Sequence, residues 1–211
     1  DRTHASLRFE TEADAEVEIT LFDPDGNEVG KGHTFEIANP RLWWCNGQGE
    51  QALYTWEART ADHTLTSRIG LRSVKLIMNE GAWIEPATFP KGRSVAPIQL
   101  ELNGRRVFAK GSNWVNPDIF WGNITPARCE ELILLAKNAN MNIFRMWGGA
   151  GPCIKEFYDL CDKYGIMVWQ DFWLANPADG PDPADNEMFL ANAEDLVKRI
   201  RQYPSIVIYC G

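Results

Sequence analysis

The second half of this 211-residue chain alternates strand-like and helix-like segments. Apolar runs lie at 107–114, 142–147, 166–169 and 205–209, and segments with helical spacing of apolar residues lie between them. Repeats of this length predict right-handed β–α–β crossovers and therefore a parallel sheet. Four strands with three helices make half of an eightfold barrel. We therefore expect residues 107–211 to form the N-terminal half of a (β/α)8 TIM barrel.

Local signals mark the ends of the predicted helices and the burial of one strand. Thr125 is a good N-cap, and Pro126 fits the first helical turn. Gly165 follows the second helix at the position of a C-cap. The run Ile166-Met167-Val168-Trp169 has almost no polar interruption, as is typical of a strand covered on both faces.

Short alternating strands separated by turns make up the first third of the chain. Ala15-Glu16-Val17-Glu18-Ile19-Thr20-Leu21 alternates polar and apolar residues, and Asp23-Pro24-Asp25-Gly26-Asn27 predicts a hairpin turn. The last strand-like run is Arg68-Ile69-Gly70-Leu71-Arg72-Ser73-Val74-Lys75-Leu76. Because helical periodicity is absent here, we predict an all-β sandwich over residues 1–78.

Residues 79–106 join the two predicted domains. The stretch 85–92 is irregular and linker-like. Residues 99–106 predict a two-stranded hairpin with an Asn103-Gly104 turn. We expect this hairpin to cover the bottom of the barrel.

Charge and cysteine usage exclude several classes of protein. A net charge of −8 without any Lys/Arg cluster argues against nucleic acid and an anionic membrane surface as partners. No run reaches the ~18 consecutive apolar residues of a membrane helix. The five cysteines include no C-x-x-C pair, so we expect free and mostly buried thiols. No metal-ligand spacing occurs, and we predict neither a metal nor a cofactor.

Two motifs place charged and aromatic side chains at the ends of neighbouring predicted strands. They are Arg145-Met146-Trp147-Gly148-Gly149 and Trp169-Gln170-Asp171-Phe172. Since the carboxyl ends of parallel strands open into one crevice, these side chains are expected to meet there. Aromatic faces stack on the C–H surfaces of a sugar, and charged groups hydrogen-bond its hydroxyls. The pattern therefore favours a carbohydrate ligand over a phosphate.

The predicted sugar-binding residues lie at the ends of the first three barrel strands and are Asn113, Trp114, Arg145, Trp147, Trp169 and Asp171. Two simpler interpretations stay open. The tryptophans could fill the barrel core, and Asp171 could serve only as the partner of Arg145.

A catalytic pair of carboxylates is not evident in the sequence. Asp171 alone lies at the end of a predicted barrel strand. Asn116-Pro117-Asp118 is also typical of a plain turn. Asp179, Asp182 and Asp185 lie in a proline-rich loop that we expect to be solvated. We therefore assign no catalytic residue within these 211 positions.

Several short motifs follow one another along the chain in a recognisable order. They are Asn39-Pro40-Arg41-Leu42-Trp43-Trp44, Glu50-Gln51-Ala52-Leu53-Tyr54, Arg68-Ile69-Gly70-Leu71-Arg72, Phe108-Ala109-Lys110-Gly111-Ser112-Asn113-Trp114, the two strand-end motifs above, and Phe157-Tyr158-Asp159-Leu160. Together they resemble the β-mannosidase branch of glycoside hydrolase family 2. The resemblance runs from about residue 36 to the end of the chain.

The resemblance implies an immunoglobulin-like sandwich followed by the first half of a catalytic TIM barrel. It also implies a retaining, exo-acting hydrolase that removes terminal β-linked mannose without a cofactor. The family's acid/base and nucleophile are glutamates beyond the fourth barrel strand. Both are therefore expected after Gly211, and this chain alone is expected to be an inactive internal piece. Asp171 is implied to accept hydrogen bonds from hydroxyls of the cleaved sugar.

Alternatives stay open within and outside this family. β-Galactosidase, β-glucuronidase and exo-glucosaminidase activities are compatible with the resemblance, and a non-catalytic carbohydrate-binding relative is the competing class. A carbohydrate is the expected partner. The oligomeric state stays open, as does the compartment: a periplasmic, secreted or lysosome-like location all fit. An open fourth-strand edge favours association if the chain is this short in solution.

Overall fold

The structure is a computed structural model that describes residues 2–80, 98–174 and 183–211. The predicted linker at 85–92 lies outside these ranges, as do Asp179 and Asp182. The longest helix in the described ranges has 15 residues, and none of their helices is long and apolar enough to cross a bilayer.

Two antiparallel sheets form the first part of the molecule. In one, β1 (His4–Arg8) pairs with β4 (Thr34–Ala38). The other has the order β3–β2–β5–β6, with β2 at Glu18–Phe22, β3 at Glu28–Lys31, β5 at Tyr54–Arg59 and β6 at Thr64–Ile69. Apolar side chains from both sheets meet in one core, which contains Ile19, Leu21, Phe35, Ile37, Tyr54 and Leu71.

A four-stranded parallel sheet forms the second part, as predicted. Its order is β10–β11–β12–β13, with β10 at Gly111–Trp114, β11 at Ile143–Met146, β12 at Met167–Asp171 and β13 at Ile206–Cys210. The helices α1 (Pro126–Asn138), α2 (Lys155–Tyr164) and α3 (Asn186–Ile200) connect successive strands. This parallel sheet is consistent with part of a barrel.

The predicted turn and cap residues have the expected contacts. The Asp23 carboxylate accepts hydrogen bonds from the main-chain N–H groups of Asp25 and Asn27, each at 2.9 Å. The Thr125 hydroxyl accepts one from the N–H of Arg128 at 3.2 Å, which caps α1. Gly165 has a φ of 76° and ends α2 in the left-handed region.

Two predicted strands are each split in two by the structure. The run at 68–76 breaks after β6, and β7 (Val74–Met78) belongs to another sheet. A side chain on Gly70 would press against Pro204 and Trp43, so a distant contact turns the chain there. The run at 107–114 also breaks, because Val107 ends β9 (Arg105–Val107) and the parallel strand β10 begins at Gly111.

A three-stranded sheet lies between the two parts. It consists of β7, β8 (Ile98–Leu102) and β9 (Arg105–Val107), and its tight turn is the predicted Asn103-Gly104, with φ values of 49° and 70°. Its side chains Leu100, Leu102 and Val107 share an apolar cluster with Ile143 and Met167, the first residues of β11 and β12. The hairpin therefore covers the amino-terminal end of the parallel sheet, as expected.

The two faces of the parallel sheet pack differently. Phe144, Met146 and Val168 face the helices and share the largest core with residues such as Phe157 and Leu196. Ile143 and Met167 face the opposite, inner side. The cysteines are free, as predicted, and four of them, Cys45, Cys129, Cys153 and Cys161, are buried.

Side-chain hydrogen bonds connect the sandwich to the part of the molecule that contains the parallel sheet. The Trp43 indole N–H donates to the carbonyl of Asp162 at 2.8 Å. The Asn46 side-chain amide donates to the carbonyls of Lys137 and Met141 at 3.1 and 2.9 Å. These donors come from the chain between β4 and β5, and the acceptors belong to the ends of α1 and α2.

Arg72 makes a second connection, this time to the start of β13. Its Nε donates to the carbonyl of Pro204 at 2.9 Å, and its Nη2 donates to that of Ile206 at 2.6 Å. Burial lowers the pKa of this guanidinium, while the nearby Asp162 raises it. The residue therefore ties the entry of β13 to the sandwich.

Asp162 is a buried carboxyl at this joint. Its Oδ1 accepts a hydrogen bond from the main-chain N–H of Ser205 at 2.9 Å. Burial raises the pKa of Asp162 to about 7, and the hydrogen bonds from Ser205 only partly oppose this rise.

Replacing Asp162 by Asn is expected to flatten the pH dependence of stability. Because the folded pKa of about 7 lies above the reference value of 3.8, the native state binds the extra proton between these values. Stability from this group is therefore complete at low pH and is lost as the pH rises through 7. Urea midpoints measured across this window should fall less for the Asn variant than for the parent. Parallel curves for both proteins would contradict the assignment.

Asn103 provides a test of the joint between the hairpin and the sandwich. Its Oδ1 accepts from the N–H of Ser73 at 2.8 Å, and its Nδ2 donates to the carbonyl of Trp43 at 3.0 Å. Asn103→Ala loses both bonds and puts at φ 49° a residue that tolerates the left-handed region less well than Asn, so we expect a loss of about 3 kcal/mol in unfolding free energy. Asn103→Gly loses only the bonds and should cost about 1–2 kcal/mol by urea titration. Equal losses would show that the backbone conformation is unimportant.

Candidate sugar-binding site

A two-point ion pair joins β11 and β12 at the carboxyl end of the parallel sheet. Arg145 Nη2 lies 2.7 Å from Asp171 Oδ2, and Nε donates to Oδ1 at 3.3 Å. The Asp171 side chain is 5% exposed and that of Arg145 is 37% exposed. The main-chain N–H of Gly148 also donates to Asp171 Oδ2, at 3.3 Å. The carboxylate is thus held by three donors while the guanidinium keeps one side towards solvent.

The indole of Trp169 lies beside this pair. The guanidinium carbon of Arg145 is 5.4 Å from its ring centroid, and the two residues are register partners in adjacent strands. The Trp169 indole nitrogen is buried and has no hydrogen-bond partner within the described ranges. The ring also packs against the inner apolar cluster around Met167. Trp169 therefore fills part of the inner core beside the ion pair.

Register places Asn113 on the same face as these groups. Asn113 pairs with Arg145, which pairs with Trp169, so the three side chains form a row across β10, β11 and β12. Asn113 is exposed. The row lies on the inner face, opposite the helices.

Trp114 does not belong to this site, which corrects the prediction from its position in the sequence. Its ring packs in the core between sheet and helices, with centroids 5.0 Å from Phe144 and 4.7 Å from Phe157. Successive side chains of a strand point to opposite faces, so Asn113 and Trp114 cannot both face inward.

The position of Trp147 is less directly tied to the ion pair. Its ring covers Gly149, where an added β-carbon would lie 2.5 Å from the indole. Trp147 is half-buried. The structure brings Arg145, Trp169 and Asp171 together. That Trp147 contributes to the same site stays a prediction.

Gln170 and Tyr158, which the sequence analysis did not propose as site residues, support the end of β12 from the helix side. Gln170 points to the helix side, where its Oε1 accepts from the Tyr158 hydroxyl at 2.7 Å and its Nε2 donates to the carbonyl of Asp171 at 2.8 Å. The signal in the sequence was a polar residue, Gln170, within a buried strand and on the side that faces the helices.

Between β12 and β13 the register shifts after Val168, which places both Val207 and Ile208 at the inner cluster.

The other candidate carboxylates have structural roles of their own. Asp118 Oδ1 accepts from the N–H of Phe120 at 2.8 Å, which makes the plain turn that the sequence allowed. Asp185 Oδ1 accepts from the N–H of Met188 at 2.9 Å and caps α3. Among the residues that the structure describes, no group of three His, Cys, Asp or Glu side chains is placed to hold a metal ion.

Comparison with known proteins agrees with the motifs. Residues 2–72 match the family model described as glycosyl hydrolases family 2. β-Mannosidase A of Aspergillus clavatus is 32% identical over 193 residues, which are 88% of this chain and 20% of that protein. The β-mannosidase of Rattus norvegicus is 36% identical over 174 residues, 80% of this chain and 19% of that protein.

The chain belongs to glycoside hydrolase family 2. A solved structure, the β-D-mannosidase from Dictyoglomus thermophilum, superposes with a TM-score of 0.76 at 29% identity, over 99% of this chain and 27% of that one. The chain spans about a fifth of the length of the curated relatives above.

Gly148→Ala is expected to disrupt the site by a steric route. An added methyl group would overlap the carbonyl oxygens of Phe172 and Leu174, which are main-chain atoms that cannot simply rotate away. We expect a loss of about 2–3 kcal/mol in unfolding free energy, because the turn and the end of β12 must separate. Gly122→Ala is the matched control, since nothing lies within 4 Å of its added carbon. Chemical denaturation of both variants measures the difference, and similar curves would refute the proposed close packing.

Proposed function

We propose that the whole protein is a glycoside hydrolase that releases terminal β-linked mannose from oligosaccharides or glycoconjugates. The observation that carries this proposal is the meeting of Arg145, Trp169 and Asp171 at the strand ends of a chain 32–36% identical to β-mannosidases. The narrow exposed side of this group suits a neutral polyhydroxylated ring. No cofactor enters the proposal.

In the proposed site, Asp171 is the anchor for the sugar. A carboxylate held by Arg145 and the Gly148 N–H keeps one spare lone pair, which can accept from a sugar hydroxyl. A charge-assisted hydrogen bond of this kind accelerates the reaction if it becomes stronger as the sugar ring flattens towards the transition state. The Arg145 pair orients the carboxylate, so the ion pair and the sugar-binding role are compatible.

The remaining residues of the proposed site contact the ring and its edge. Trp169 offers its indole ring beside Arg145, and Asn113 offers an amide from the first strand. Trp147 contributes an apolar surface from the neighbouring turn. Trp114 is left out, because it packs on the helix side.

The chemical step that we propose uses two carboxyl groups outside this chain. A retaining hydrolase needs an acid/base and a nucleophile ~5–5.5 Å apart. The family pattern places two glutamates after β13, so this chain supplies the binding side of the site and the whole protein supplies both catalytic groups.

The domain arrangement that we propose follows from the sheets. An immunoglobulin-like sandwich ends near Arg72, and the first half of a TIM barrel begins at Gly111. The sheet of β7, β8 and β9 joins them and forms the floor of the barrel.

The proposal is tested with the whole protein and a panel of 4-nitrophenyl β-glycosides. Release of nitrophenol should be fastest from the β-mannoside, and NMR should show that the first product is the β-anomer. Faster release of nitrophenol from the galactoside or glucuronide would show that this sugar, and not mannose, is the preferred substrate. Binding of mannose without any hydrolysis would favour the non-catalytic carbohydrate-binding class.

Asp171→Asn in the whole protein is expected to lower kcat/KM for the β-mannoside at least about 100-fold. The charge-assisted hydrogen bond to the sugar is weakened and so is the pair with Arg145 that orients the side chain, and together they are worth about 3 kcal/mol. Asp185→Asn is the matched control, because Asn caps a helix as well as Asp does. Steady-state kinetics of both variants decide the matter. Equal activity of the two would exclude Asp171 from the sugar site.

A further inference from the structure

Three loops meet at the carboxyl end of the parallel sheet and bring two tryptophans to one glycine. A β-carbon added to Gly151 would lie 3.6 Å from Cδ1 of Trp173 and 4.0 Å from Cζ2 of Trp121. Trp121 belongs to the loop after β10, Gly151 to the loop after β11, and Trp173 to the loop after β12. Both indoles therefore lie within contact distance of the position that a side chain on Gly151 would occupy.

Each of these loops is held in place by its own contacts. The Asn116 side-chain amide donates to the carbonyl of Ala150 at 2.8 Å, which ties the first loop to the second. Trp173 packs edge-to-face with Phe189 of α3, with ring centroids 6.3 Å apart and an interplanar angle of 84°. Trp121 begins a 3₁₀ turn at Trp121–Asn123. The two indoles are thus positioned without any ligand.

Both rings keep a surface open to solvent. Trp121 is 48% exposed, and Trp173 is half-buried. Large indole surfaces facing water are costly, and a binding partner with apolar patches would recover that cost. The indole N–H groups add a polar edge, which suits a partner that also carries hydroxyls.

The pair lies next to the proposed mannose site along the same turn. Gly148 donates its N–H to Asp171, and Gly151 follows three residues later, beyond the 3₁₀ turn Gly148–Ala150. A 3₁₀ segment rises about 2 Å per residue, so the two points are roughly 6 Å apart along the turn, a distance comparable to one pyranose ring.

We propose that Trp121 and Trp173 form an acceptor subsite, which stacks on the sugar unit that carries the cleaved mannose. The inference rests on the proposed function and adds a preference for a pyranose, and not a small alkyl group, on the leaving-group side. Gly151 has no side chain to occupy the space beside the two indoles. Its φ of 69° also makes a side chain unfavourable at this position.

The test compares two substrates in the whole protein, a β-linked mannobiose and methyl β-mannoside. Trp121→Ala and Trp173→Ala should each lower kcat/KM for mannobiose at least tenfold more than for methyl mannoside. The loss should appear mainly in KM, because stacking on the acceptor sugar is lost before the chemical step. A general loss of folding would lower activity on both substrates alike.

Ile119→Ala is the matched control within the same loop, since Ile119 is 89% exposed. It should leave the ratio of the two kcat/KM values unchanged. An unchanged ratio in both tryptophan variants would overturn the acceptor subsite while leaving the mannosidase proposal intact. If the parent hydrolyses neither mannoside, the proposed function itself fails, and the subsite fails with it.

Discussion

A carboxylate that is almost fully buried must be paired, and the pairing of Asp171 organises the end of the parallel sheet. Arg145 meets it from the neighbouring strand, and the Gly148 N–H meets it from the turn after that strand. The same contacts fix the turn against β12, where the carbonyls of Phe172 and Leu174 leave no room for a side chain on Gly148. The carboxylate can thus be oriented by the ion pair and also accept a hydrogen bond from a hydroxyl in the proposed site, because it has more lone pairs than the protein uses.

The two proposed sugar subsites follow from how consecutive loops leave a parallel sheet. Strand ends supply charged and aromatic side chains over a rigid base, and the loops beyond them supply Trp121 and Trp173. The turn between Gly148 and Gly151 takes part in both, since one end donates to Asp171 and the other lies beside the two indoles. Binding and positioning therefore share a single short piece of backbone.

Much of this could be predicted from the sequence, because the signals are local. Strand and helix alternation, the caps at Thr125 and Gly165, and the Asn103-Gly104 turn all depend on neighbouring residues. The error at Trp114 was avoidable from the same information, since adjacent strand residues face opposite sides. The splits after Ile69 and before Gly111 were not avoidable. They depend on contacts of Gly70 with Pro204 and of Gly111 with Ile143, which the sequence does not reveal. The pairing of Trp121 with Trp173 is long-range in the same sense.

The joint between the sandwich and the parallel sheet has an asymmetric chemistry. Its side-chain donors, Trp43, Asn46 and Arg72, all come from the sandwich side, and every group that receives them is a main-chain carbonyl. A carbonyl is present whichever amino acid occupies its position. Side-chain replacements in α1, α2 and the entry to β13 leave these hydrogen-bond acceptors in place, whereas a single replacement among the three donors removes a contact outright. These hydrogen bonds therefore constrain the amino-acid sequence of the sandwich more than that of the segments that accept them.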